Sequence, residues 1–201
     1  RNLRIVAAVA VALLCLSLIA YFGQERSRRT RLLAGFQASL APATQTLASW
    51  DTVSVAAQGR ELQSTFDARR QASGILDLSH QEKIENVKTI RALFELASQE
   101  MDVVKRAETT FEGTVFTLME ESDQKRLQAE ALLGFERAIS LSIDNESFDL
   151  AEGMLMVYPG SPSVRLGFQK QMETRRRARL EWQMARADAI LQDLRLGRWR
   201  K

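Results

Sequence analysis

A single cysteine, Cys15, rules out any intrachain disulfide and leaves no thiolate metal cluster. A single histidine, His80, is the sole candidate base for a Ser-His-Asp or Cys-His arrangement, and it sits in a helix-start motif, where it reads as a surface residue. No glycine-rich phosphate loop occurs. Acidic neighbours such as Glu120 and Glu121 point from different helix faces and read as a solvated helix end. The chain is therefore expected to be no enzyme and to carry no metal or cofactor. Three prolines and ten glycines in 201 residues place few breaks in the chain. No stretch of useful length alternates apolar and polar residues with period two, so the expected class is all-α.

What the sequence does contain begins with an apolar run. Residues Ile5 to Gly23, "IVAAVAVALLCLSLIAYFG", carry no charge. Nineteen residues at about 1.5 Å each give roughly 28 Å, the hydrocarbon thickness of a bilayer. A cleavable export signal has a shorter apolar core and small residues one and three before the cut, whereas Leu18 or Tyr21 would fall at the third position here. A retained transmembrane helix is expected, with Tyr21 and Phe22 as an interfacial aromatic pair. Arg26, Arg28, Arg29 and Arg31 follow it, against Arg1 and Arg4 before it. The side of the membrane that holds the body is left open. Both ends read as cut from a longer chain, since the first residue is Arg and "RLGRWRK" contains no helix stop.

Leu32, Leu33, Phe36 and Leu40 extend helical spacing to Pro42, giving a first region at 1–41: anchor and stalk. A second region, 42–121, holds long amphipathic helices. One spans about 47–72. The next opens on "SHQE", a capping box with Ser79 as N-cap and Glu82 at the third helical position. From there Val87, Phe94, Met101, Glu108 and Val115 form one heptad position, and Ile90, Ala97, Val104, Phe111 and Leu118 the other. The pattern predicts one coiled-coil-like helix from about His80 to Glu121, needing a partner helix on its stripe. Glu108 is the polar exception, and the drift of an ideal helix, about 20° per heptad, would leave it at the edge. The third region, 122–201, reads as a helix over about Gln124 to Ile143, a turn at Asp144 and Asn145, a helix over Glu146 to Tyr158, a stop at "PGSP" and a last helix. In that helix Leu180, Met184, Ala187, Leu191 and Leu194 are spaced by four and three.

The stretch "LLGFERAISLSIDNESFDLAEGMLMVYPGSP", within residues 131–163, resembles a tetratricopeptide-type helical hairpin, with Phe135, Ala151 and Leu155 near that repeat's packing positions. Residues 186–199, including "ADAILQDLRLGRW", resemble the first helix of a further hairpin. The resemblance implies a protein-binding helical bundle or short α-solenoid and nothing catalytic.

Net charge is +3, but it is divided by region. Residues 24–76 carry 7 basic and 4 acidic groups, 77–164 carry 8 and 17, and 165–201 carry 11 and 4. The basic end either folds back on the acidic centre or meets anionic lipid or an acidic partner through Arg175, Arg176, Arg177 and Arg179. Nucleic acid is disfavoured, because no recognition motif accompanies those arginines. The sequence leads to the expectation of a single-pass scaffold or adaptor in a bacterial inner membrane, assembling with other subunits or a second copy of itself. Val87, Ile90, Phe94, Met101, Val104, Phe111, Val115 and Leu118 would bury against a partner helix, either the chain's own last helix or another subunit. The rival is an extracytoplasmic sensor bundle that binds a ligand and signals across the membrane.

Overall fold

A computed structural model of the protein describes residues 2–49, 52–111 and 114–196, and their side chains outside 2–12, 40–49, 52 and 109–116. Six helices and one ribbon follow in chain order: α1 (Asn2–Ser49), α2 (Thr52–Ser73), α3 (His80–Ala107), β1 (Glu108–Phe111), β2 (Thr114–Thr117), α4 (Glu121–Asp144), α5 (Phe148–Val157) and α6 (Pro162–Arg195). The fold class is all-α. Pro42 does not end the first helix, which runs on to Ser49 and reaches roughly 70 Å. Among the described residues no helix is long and apolar enough to cross a membrane. The side chains of residues 5–12, the first part of the expected span, lie outside the described ones.

The predicted helix from His80 to Glu121 is corrected. Its start is as expected: Glu82 N donates to Ser79 Oγ at 3.2 Å, and Ser79 N donates to Glu82 Oε2 at 2.8 Å. It ends at Ala107. The next ten residues, "ETTFEGTVFT", are dense in β-branched and aromatic residues, whose stiff or bulky side chains favour an extended backbone. Residues Glu108–Phe111 and Thr114–Thr117 form an antiparallel ribbon pairing Thr109 with Phe116 and Thr110 with Val115, closed by Leu118 N donating to Ala107 O at 2.6 Å. Heptad spacing continued through Phe111, Val115 and Leu118 because spacings of four and three do not require a helix. Glu108 is neither a register-setting seam residue nor a drifted one. It caps α3, pairs with Thr117 and accepts from Gln124 Nε2 at 2.9 Å.

The core forms where α3 lies along α4, with α2 and α5 packed on either side. Ile90, Leu93, Ala97 and Met101 of α3 meet Ala131, Phe135, Ala138 and Ile139 of α4, all buried. Small residues set the spacing: a Cβ on Gly134 would stand 2.9 Å from Ala97 Cβ. Phe135 packs edge-on to Phe94 at 5.3 Å and to Tyr158, the residue that caps α5, at 6.4 Å, so one ring ties α3 and α4 to the end of α5. The stripe on α3 therefore finds its partner helix inside the chain, in α4 and not in the last helix. α1 joins the bundle by its middle, where Arg106 Nη1 donates to Ser39 O at 2.9 Å and Leu32, Leu33 and Phe36 are half-buried. α6 begins on Ser161 as its N-cap, with Pro162 in the first helical turn.

Candidate functional site

The densest polar cluster of the body is built on the turn between α4 and α5. Glu146 takes a left-handed φ of 57°, which an L-residue adopts only at a cost. It sits one residue past the helix cap, where Glu146 N donates to Ile143 O at 3.1 Å and Ser147 N to Ser142 O at 2.9 Å, the paired bonds of a Schellman ending. Three successive polar side chains of this turn are thereby aimed in three directions. Asp144, 2 % exposed, accepts from Arg70 Nη2 at 2.6 Å and faces Arg175 Nη2 at 3.8 Å. Asn145, fully buried, donates to Lys83 O and to Ser147 Oγ at 3.0 Å each and accepts from Asn86 Nδ2 at 2.9 Å. Glu146 accepts from Lys83 Nζ and pairs with Arg179 Nε at 3.3 Å. One turn thus holds α2, α3 and α6 together.

That arrangement pairs both of its carboxylates with cations. Each carboxylate faces two cations, and Arg179 Nη1 also donates to Leu76 O at 3.3 Å. Its consequence is positional: it fixes the angle at which α6 leaves the bundle. No family model, curated protein or solved structure matches this chain. Function must be read from its surfaces.

The predicted site residues divide accordingly. Ile90, Met101 and Val104 are buried inside the chain, and Phe94 and Val87 are half-buried, Val87 in a surface groove beside Phe148 and Arg176. The buried members of this set are covered within the chain by α4 and its neighbours. Phe111 and Val115 lie on the ribbon with side chains outside the described ones, and Leu118 follows it, half-buried. Of the four arginines proposed for an acidic partner or lipid, three turn inward to the chain's own carboxylates. Arg175 faces Asp144, Arg179 faces Glu146, and Arg176 donates to Glu152 Oε1 at 2.6 Å while covering the Phe148 ring at 5.0 Å. Arg177 alone of the four is exposed.

Other carboxylates lie around the body. Burial raises the Glu100 carboxyl to about 7, helped by the Glu130 charge across the α3–α4 seam. Hydrogen bonds from Arg69 and from Ser79 hold Glu82 down at about 2. Burial, together with the Tyr158 hydroxyl's 2.6 Å bond to Glu136, pushes that phenol up. Among the described residues no group of three or more His, Cys, Asp or Glu side chains is placed to hold a metal ion. The surface grooves are open to solvent and carry charged walls: one of about 290 Å³ runs between α2 and α3 beside Arg69 and Glu82, and one of about 470 Å³ lies between α5 and α6 beside Glu152 and Arg176.

Among the described residues, α1 and α6 each carry a run of exposed apolar side chains. On α1, Leu13, Leu14, Leu16, Leu18, Ile19, Tyr21 and Phe22 are between 47 and 68 % exposed. At 100° per residue they cover every side of the helix. On α6, Leu180, Met184, Leu191 and Leu194 are each more than half exposed. Sequence reading named both runs. It missed the turn clamp, for which "DNE" after an apolar helix was the available signal: three polar residues where a glycine is the usual helix stop.

Proposed function

We propose that this chain is a membrane-anchored helical scaffold: the first half of α1 is held in a bilayer, and the bundle carries an assembly arm, the end of α6, at an angle fixed by the turn clamp. The observation that carries the reading is the exposure of Leu13 to Phe22 around the whole circumference of α1. A helix that packs on protein is apolar on one stripe, whereas one surrounded by hydrocarbon is apolar all round. Seven such side chains at about 1.5 to 3 kcal/mol each represent roughly 10 to 20 kcal/mol of transfer free energy, more than the net stability of most domains. Water is therefore the wrong solvent for this segment. The edge-on pair Tyr21 and Phe22, 5.8 Å apart, stands where the apolar run gives way to Arg26 and its neighbours, the place of an interfacial belt.

Fractionation tests this. Expressed with α1 intact, the protein should stay in the membrane pellet through high-salt and alkaline carbonate washes and be released by detergent alone. Replacing Leu14 and Ile19 together by Arg should shift it to the wash. Recovery of the unaltered chain in the carbonate supernatant would overturn the anchor.

A further inference from the structure

We propose that the last turns of α6, from Glu181 to Arg195, pair antiparallel with the same turns of a second copy of this chain. The proposal rests on the reading of the chain as an anchored scaffold and names the partner of its arm. Leu180, Met184, Ala187, Leu191 and Leu194 follow the spacing of a coiled-coil seam, and each of the five is exposed. The face of α6 turned to its own bundle is a different one. It carries Met172, Arg175 and Arg179, and ends where Arg186 reaches Asp77 at 3.7 Å with Trp182 held between the Arg179 and Arg186 guanidiniums at 4.3 and 5.1 Å. About 100° separates successive residues, so the bundle-facing side cannot cover the seam.

Charge selects the occupant. Upstream of Leu180 the same seam continues as Lys170, Glu173 and Arg177. A parallel copy in register would set each of these against its own like at core positions, which repels. An antiparallel copy centred near residue 189 sets Met184 against Leu194 of the second copy and Ala187 against its Leu191, each twice. Ile190 then meets Ile190 at the two-fold axis, and Glu181 faces Arg195 of the second copy on both sides. Asp188 against Asp188 is the one opposing pair. It lies on the solvated rim, where two opposite-charge pairs outweigh it. An anionic lipid surface fits the arm poorly, because Glu181, Asp188 and Asp193 flank or follow the seam. A two-fold contact of this kind closes on itself and yields a dimer. A seam of about fifteen residues is marginal in dilute solution, and confinement of both copies to one bilayer supplies the effective concentration it needs.

Mixed crosslinking tests the pairing. In a Cys15→Ser background, chains with Met184→Cys and differently tagged chains with Leu194→Cys are expressed together, and the membranes are oxidised. The expected product has twice the chain mass and contains both tags. Leu191→Glu should lower its yield about tenfold with helical circular dichroism unchanged. Arg195→Glu should weaken it, and Glu181→Arg added to Arg195→Glu should restore it. Same-tag products alone, a product containing another polypeptide, or no product would each overturn the antiparallel pair. The wash test separates the two readings: a pelleted chain that does not crosslink sinks the pairing alone, and a washed-off chain that crosslinks sinks the anchor alone.

Discussion

Arg70 of α2 and Asp144 at the end of α4 are 74 positions apart in sequence and meet at 2.6 Å, Asp144 being 2 % exposed. Arg70 Nε is buried with no hydrogen-bond partner among the described residues, so the guanidinium is anchored through its terminal nitrogens. Removing one partner of a buried pair strands the other, and the loss exceeds the pair's own net contribution. Asp144→Ala should therefore destabilise the protein by about 2 to 3 kcal/mol, below the fully buried range because the Arg70 side chain is 30 % exposed. Replacing both, Arg70→Met with Asp144→Leu, should recover most of it. Urea unfolding followed by circular dichroism in detergent reads both variants, and a double variant no better than Asp144→Ala would contradict the account.

Stability should fall from mildly acid to neutral pH through Glu100. Its carboxyl titrates at about 7 in the fold against an ordinary 4.5, so the folded state holds the proton more tightly. The resulting stabilisation is full below about 4.5 and is lost as pH rises through 7. Glu100→Gln should raise stability at pH 8 by about 1 to 2 kcal/mol, after allowance for partial solvent screening, and leave it unchanged at pH 4. Glu82 acts in the opposite direction: held at about 2, it stabilises above 4.5 and that contribution is lost as pH falls towards 2. Thermal melts at pH 3, 4, 6 and 8 check both signs.

Two glycines should respond oppositely to alanine. In α5 a Cβ on Gly153 would meet nothing within 4 Å, so Gly153→Ala should gain up to about 1 kcal/mol from helix propensity. Gly134→Ala would gain the same propensity but force α3 and α4 apart at Ala97, for a net loss of about 1 kcal/mol or more. Equal effects in denaturant titrations would mean that the two helices are not in close approach.

Phe135 joins Phe94 and Tyr158 in the core, so Phe135→Ala should cost about 3 to 5 kcal/mol. A loss below about 1 kcal/mol in the same unfolding experiment would show that the ring is not buried among the three helices.

The sequence alone determined the local elements that depend on neighbours in the chain. Periodic apolar spacing located α3 and α4, the Ser79 and Glu82 pair marked the start of α3, and the uncharged run in α1 stood out by composition. These signals operate within one or two helical turns. Where they failed, the misleading cue was also local: spacings of four and three persisted through "ETTFEGTVFT" although β-branched residues had already changed the backbone preference. Only the tertiary structure decided which face meets which. A hydrophobic stripe states that it must be covered and leaves open by what, because apolar burial has no direction. Whether α4, α6 or another chain covers α3 turned on side-chain volumes at Ala97 and Gly134. Whether Arg175 and Arg179 point outward or inward turned on the turn at Asp144 to Glu146, where charges far apart in the chain become neighbours only after the helices have packed.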